Sequence, residues 1–363
     1  MWNSLGSAPQ VDEIEVTVFG PGFGESIVVH LGNGEWMIVD SCVDRTAPNK
    51  LIAPLYYLRQ IGVAVEDAVK YIVASHWDDD HIQGMDDIVE ACPNAKFICP
   101  ASLPDEKFIT FVEAISKGAS ATNGGNVKII RRIVQILDSR KQAFCIATPG
   151  KKVNSSPDIF SWSPSDFNNS EFFQYLARQH PKAVEAYRSA IPEDSNHTSI
   201  VITVDWSDTA VLLGADLEVS ANPDSGWCAV ISEVQHLNCT RKADLVKVPH
   251  HGSSTAHAEE MWSQLVNENP ISVIAPFGRG PITGRPPKSD DIRRISKLSG
   301  KVFLTARHLV TKTAQKNFSV IRSLREGNIT FTSTKGPLGI VRHRRLPKGD
   351  WTDSLFGSAL RVY

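Results

Sequence analysis

The chain has 363 residues, 42% of them hydrophobic and 21% charged, with 38 Lys+Arg against 40 Asp+Glu. That length buries a large core, and a formal charge of -2 excludes both a strongly basic nucleic-acid binder and a highly charged disordered chain. No apolar run reaches the roughly 18 to 20 residues that cross a bilayer, and Met1 to Glu15 holds no apolar signal core, so the chain reads as cytoplasmic with no membrane partner.

The opening residues alternate in the manner of strands at Ile14 to Phe19, Ser26 to Leu31 and Trp36 to Val39. Between the first two lies Gly20-Pro21-Gly22-Phe23-Gly24, a turn that permits a close backbone approach. A helix over Asn49 to Ile61 and a buried strand over Val69 to Ala74 then form a βαβ unit. Two polar helical stretches, Pro104 to Arg140 and Ser170 to Ala190, read as insertions around the strands Ala143 to Thr148 and Asp158 to Trp162. Ser199 to Val204 and Ala210 to Gly214 form a hairpin. A helix near Trp227 to Leu237, a strand Leu245 to Val248, a helix Ala258 to Asn267 and a strand Ile271 to Pro276 follow. A last pair, Ser289 to Leu298 and Val302 to Thr305, precedes a short β run to Val341. Without repeats or a clear linker, residues 1–363 read as one α/β domain, with helical insertions at about 104–141 and 168–192 and a basic segment at 285–363. The six cysteines lack a C-x-x-C pair and read as reduced, mostly buried thiols.

The strongest chemical signal is Ser75-His76-Trp77-Asp78-Asp79-Asp80-His81, placed directly after a buried strand. Imidazole nitrogens and carboxylate oxygens are the donors that Zn, Mn and Fe use, and consecutive aspartates repel one another unless a cation or solvent neutralises them. A second signal, His250-His251-Gly252-Ser253, again follows an apolar strand. Between them, Leu212-Leu213-Gly214-Ala215-Asp216 delivers a carboxylate at a third strand end. Asn196-His197-Thr198-Ser199 is a weaker candidate, since a single loop histidine is more often a surface residue. Neither a P-loop nor a nucleophile elbow is present.

In these motifs the chain resembles the metallo-β-lactamase fold hydrolases, whose first motif is H-x-H-x-D-H, followed by a His, an Asp and a final His at successive strand ends. It is most similar to the H-x-D-x-D-H variant in the hydrolase domain of DNA-uptake competence channel proteins. His76, Asp78, Asp80 and His81 match that variant, as do Asn196 with Ser199, Asp216 and His250-His251-Gly252-Ser253. The resemblance covers roughly Glu15 to Val341, apart from the insertions, and places Asp40 below the metal site. It implies an αββα sandwich with two divalent metal ions, Zn or Mn, in a cleft at the sheet edges. His76 and Asp78, with His197, would hold one metal; Asp80, His81 and His251 would hold the other; Asp216 would bridge. His250 would then be a catalytic or substrate-contacting group beside Asp80 and Asp216. An oxygen donor at Asp78 in place of nitrogen favours Mn or Mg over zinc.

Such a site acts through a cation-bound water that loses its proton near neutral pH. Asp80 or Asp216 would orient the water, and His250 or His197 would protonate the leaving group. The leading expectation is a phosphodiesterase or nuclease acting on nucleic acid or nucleotides. It draws on charge as well: residues 285–363 hold 17 basic against 5 acidic residues, net +12, leaving net -14 for residues 1–284. Arg342, Arg344 and Arg345, with Ser199 and Ser253, are the expected substrate contacts. Hydrolysis of a small ester, lactone, thioester or β-lactam is the alternative for the same metals, and a non-catalytic metal-binding interaction protein the alternative from another class.

Overall fold

In the first strand, β1 (Ile14–Gly20), Val16 and Val18 face one way and Thr17 and Phe19 the other, and all seven residues are buried. A strand buried on both faces belongs to an inner layer. The structure is a computed structural model that describes residues 2–21, 24–44, 46–47, 49–105, 125–178, 195–238, 241–277, 285–306 and 338–363. After β1 come β2 (Ser26–Gly32), β3 (Glu35–Val39), the small ribbon β4 (Val43–Asp44) and β5 (Leu51–Ile52), then β6 (Val69–Val73), β7 (Lys96–Cys99) and β8 (Cys145–Ile146). The second half supplies β9 (Lys151–Ser155), β10 (Asp158–Ser161), β11 (Ile202–Asp205), β12 (Ala210–Leu213), β13 (Ala243–Lys247), β14 (Val266–Ile274) and β15 (Lys301–Leu304). The last strands are β16 (Gly339–Arg345), β17 (Thr352–Gly357) and β18 (Leu360–Arg361).

These strands form two eight-stranded sheets, ordered β17-β16-β1-β2-β3-β6-β7-β8 and β18-β15-β14-β13-β12-β11-β10-β9. In each, an antiparallel meander gives way to parallel strands, β3-β6-β7 in the first and β12-β13-β14-β15 in the second. The inner faces share one core, with Val16, Val18, Val29 and Met37 on one side and Val204, Val211, Leu245 and Val273 on the other.

Helices α1 (Ala53–Gln60), α4 (Met85–Ala91) and α5 (Gly125–Ser139) cover the outer face of the first sheet, the single turns α2 (Val65–Ala68) and α3 (Asp79–Ile82) lying between them in sequence. After α6 (Asp166–Arg178), helices α7 (Gly226–Leu237), α8 (Glu259–Gln264) and α9 (Ser289–Leu298) cover the second sheet. The order of layers is helix, sheet, sheet, helix. Among the described residues no helix is long and apolar enough to cross a membrane, and the five described cysteines are free thiols.

The expected elements differ from the observed ones in places. The helix expected from Asn49 begins at Ala53, because Leu51 and Ile52 pair with Asp44 and Val43 and Pro54 suits a first helical turn. Strands β7, β9, β17 and β18 were not expected; each is short or polar. Of the two helical insertions, α5 and α6 are described, while 106–124 and 179–194 lie outside the described residues.

Three arginines expected at the substrate are held by the first sheet and its surroundings. Arg342 is 8% exposed and donates to Leu5 O at 2.7 Å. The Arg344 Nε donates to the buried Glu15 carboxylate at 2.7 Å, and that carboxylate also accepts from Thr17 and Tyr57. Arg345 pairs with Asp208 at 3.0 Å. Register explains this, since β16 lies antiparallel to β1 with Glu15 opposite Arg344 and Thr17 opposite Arg342. These three guanidiniums satisfy groups of their own fold; the basic residues of 307–337 lie outside the described residues. Arg344→Gln, which strands the buried Glu15 charge, is expected to cost about 3 kcal/mol in a urea melt and to leave oligonucleotide affinity unchanged.

Candidate metal centre

Parallel neighbours end together, and the site is built where they end. From β6 the chain passes Ala74, whose amide bonds Ile98 O, into the Ser75–His81 loop, and the single turn of α3 sets Asp80 and His81 side by side. From β12 it passes Gly214 and Ala215 to Asp216; from β13 it passes Pro249 to His250 and His251. The His250 amide donates to Ala215 O at 2.9 Å, which locks these last two ends together. A Cβ at Gly214 would lie 2.5 Å from Pro249 Cγ, so only glycine lets them close.

Donor atoms of Asp80, His81, Asp216 and His251 all lie within 4.8 Å of one another. Asp216 Oδ2 is 3.3 Å from His81 Nε2 and 3.2 Å from His251 Nε2, and Asp80 Oδ2 is 3.3 Å from His251 Nε2. His76 lies against His81 with ring centroids 4.0 Å apart and planes tilted by 46°, and its Nε2 is 3.9 Å from Asp78 Oδ2. The structure thus brings four predicted ligands into one group and sets His76 and Asp78 beside it. His197, in the short turn Ser195–Thr198, is not in that group.

The remaining ring nitrogens show how the donors are aimed. Asp40 accepts from His81 Nδ1 at 2.8 Å, from the Ser75 amide at 2.7 Å and from the Ser75 hydroxyl at 2.7 Å. With its only proton given to Asp40, Ser75 Oγ accepts from His76 Nδ1 at 2.9 Å. His251 Nδ1 donates to Ala275 O at 2.8 Å. Each Nδ1 therefore carries a proton and each Nε2 is left to face the cluster. The Nε2 atoms of His76, His81 and His251 and Asp216 Oδ1 are buried without a hydrogen-bond partner among the described residues, an arrangement that costs free energy unless something with positive charge fills it. This donor set fits a divalent cation.

Charge in the cluster is finely opposed. Burial alone would lower the His81 and His251 pKa values, but Asp216 and the neighbouring carboxylates outweigh it and hold both well above the ordinary histidine value. Burial, helped by His81, pushes His76 down to about 4, so it stays neutral and ready as a ligand. The protons on His81 and His251 stabilise the cation-free fold below the unfolded histidine value, and that contribution is lost as pH rises through their raised values. A cation must displace these protons. Mn2+ binding is therefore expected to release about one to two protons at neutral pH and to weaken steadily on acidification, checked by titration calorimetry in buffers of different ionisation enthalpy.

His250 points elsewhere. Its Nδ1 lies 2.6 Å from Glu218 Oε1, and Glu218 also accepts from Thr255 Oγ1 at 3.0 Å and Asn196 Nδ2 at 3.3 Å. The His250 hydrogen bond, ahead of burial, sets Glu218 below the ordinary carboxylate value. Of the two serines expected at the substrate, Ser199 is buried at 0% exposure, and the Ser253 hydroxyl bonds Thr255 within its turn. Sequence reasoning missed Glu25 and Lys247. A lysine inside the apolar run Leu245–Val248 was the available signal, because a buried charge requires a partner.

A model of the Metallo-beta-lactamase superfamily matches residues 19–119. Among solved structures, the chain is similar to the hydrolase AbOPH in the beta lactamase superfamily, at 14% identity over 58% of this chain and 66% of that one, TM-score 0.35. It is also similar to the metallo-beta-lactamase fold protein YhfI from Bacillus subtilis, at 13% identity over 81% and 95%, TM-score 0.41. A third is MEM-A1, a subclass B3 metallo-beta-lactamase from a soil metagenome library, at 13% identity over 70% and 83%, TM-score 0.35. No curated protein matches the chain. Two helix-covered sheets, with a family match over residues 19–119, are consistent with the metallo-β-lactamase sandwich fold, and the two aspartates and two histidines gathered at their strand ends form a candidate metal site.

Proposed function

We propose that the chain is a divalent-metal-dependent hydrolase that cleaves phosphodiester bonds in nucleic acid or nucleotides. The observation that carries the reading is the buried group Asp80, His81, Asp216 and His251, whose Nε2 atoms and Asp216 Oδ1 converge without partners among the described residues. His76 and Asp78 stand beside it as donors for a second cation, Zn or Mn. When bound, such cations supply Lewis acidity and lower the pKa of a coordinated water from about 15.7 toward about 7. The carboxylates of Asp78, Asp80 and Asp216 are hard donors, which favours the cations that handle phosphate oxygens and supports the phosphodiester over the lactone or β-lactam reading.

The chain's own groups divide the remaining work. Asp40 and Ala275 O fix the tautomers of His81 and His251. Asp80, 12% exposed at its side chain, reaches the cleft and orients the attacking water. His250, held through Nδ1 by Glu218, with Nε2 3.5 Å from Asn196 Nδ2 and its side chain 21% exposed, is the group assigned to protonate the leaving oxygen. His250→Gln is expected to lower kcat by roughly 100-fold with metal content unchanged, the pattern of a lost proton donor.

The reading is tested on protein purified without chelator. Metal analysis is paired with hydrolysis of bis-p-nitrophenyl phosphate, single-stranded, double-stranded and cyclic nucleotides, and a lactone and β-lactam panel. Turnover of phosphodiesters with Mn or Zn supports it; turnover of lactones or β-lactams alone overturns it.

A further inference from the structure

Glu25 touches both loops that carry the metal donors. Its backbone amide donates to Asp80 O at 2.9 Å, and its Oε2 lies 3.3 Å from His251 Nδ1. Its Oε1 pairs with Lys247 Nζ at 2.7 Å, and the Lys247 ammonium also donates to Val248 O at 3.0 Å. Both side chains are buried, Glu25 at 2% and Lys247 at 0% exposure. The preceding glycine makes the contact possible: Gly24 has φ +102, and a Cβ there would lie 2.0 Å from Asp80 O. On the other side, His250 and His251 adopt φ of 44° and 53°, a left-handed backbone that costs an L residue on the order of 1 to 2 kcal/mol. A ring on such a backbone keeps its direction only if its side chain is held.

We propose that Glu25 and Lys247 form a positioning pair for His251. The His251 Nδ1 proton goes to Ala275 O, and the Glu25 Oε2, buried without a hydrogen-bond partner among the described residues, attracts the same Nδ1 edge from 3.3 Å, which helps aim Nε2 at Asp80 and Asp216, while the Glu25 amide ties the Asp80 loop to the His251 loop. Lys247 cancels the charge of Glu25, so the carboxylate orients the histidine without adding a further anion to the cluster. The inference rests on reading the four donors as a cation site. A pair kept only for stability is replaceable, since buried ion pairs exchanged for groups of similar volume are often neutral or stabilising.

The test uses the full chain with Glu25→Gln, Lys247→Met and the double variant, Mn2+ affinity by calorimetry, and the visible spectrum of the Co2+-loaded protein. Folding is followed by urea melts. Each single variant should be destabilised and the double variant should regain stability, while Glu25→Gln and the double variant both bind Mn2+ roughly 10- to 100-fold more weakly and show an altered Co2+ spectrum. A folded double variant with wild-type affinity and spectrum would overturn the proposal and leave the pair structural. If the double variant does not fold, Glu25→Asp, which keeps a carboxylate that the long Lys247 side chain can follow but draws it back from the His251 ring, decides it: weakened affinity in a folded variant supports the proposal, wild-type affinity sinks it. A wild-type chain that binds neither Mn2+ nor Co2+ removes the metal-site reading itself, and the pair's role with it.

Discussion

Asp216→Asn is expected to yield a folded protein that retains no divalent cation and hydrolyses substrate roughly 1000-fold or more slowly, a loss of about 4 kcal/mol of transition-state stabilisation. Asp216 has one oxygen 3.2 to 3.3 Å from two imidazoles and the other facing no partner among the described residues. An amide keeps the shape but offers one neutral oxygen and sets an N–H pair against the remaining donors. The substitution also removes the leading cause that holds His81 and His251 above the ordinary histidine value, so their protons leave at lower pH. Metal content after gel filtration and kcat together check the result; wild-type cation content in the variant would show that Asp216 is not a ligand.

Asp40→Asn should have the next largest effect, although Asp40 belongs to no donor group. Asp40 sits at φ 57, a conformation asparagine tolerates well, so the backbone survives. The side chain fares worse. It accepts three hydrogen bonds, from the Ser75 amide, the Ser75 hydroxyl and His81 Nδ1, and an asparagine must turn its N–H2 toward one of those donors. If that donor is His81, the imidazole changes tautomer and points an N–H at the cation. The expected outcome is a metal affinity lower by roughly 10- to 100-fold and a stability lower by about 2 kcal/mol. Calorimetry and urea denaturation read the two separately. Undiminished affinity would show that His81 needs no orienting partner.

Much of the site was legible in the sequence because its ligands sit where strands stop. The rule that an apolar strand run delivers the next polar residues to the sheet edge put His76, Asp80, His81, Asp216 and the pair His250-His251 at strand ends without any knowledge of distance. The same rule could not separate His250 from His251. The resemblance alone favoured His251, and in the structure that ring faces Asp216 while the His250 ring faces Glu218. The fold partners of Arg342 and Arg344 were hidden for a related reason, since a charged residue in a strand gives no sign of its cross-strand partner. Glu15 and Thr17, which face them, lie more than three hundred residues away in sequence. Lys247 announced a buried charge by its place in an apolar run, but nothing in the sequence named Glu25, more than two hundred residues away, as its partner.

Residues 352–361 place β17 on the outer strand of the first sheet and β18 on the outer strand of the second, only two residues apart. One short stretch of chain therefore closes the same side of both sheets, and beyond it the backbone of Val362 and Tyr363 still bonds to Val302. It works as a clasp. Trimming the chain before Thr352 would bare β16 and β15 at once, offering two adjacent unpaired edges to other molecules, so self-association is the failure to watch for in shortened forms.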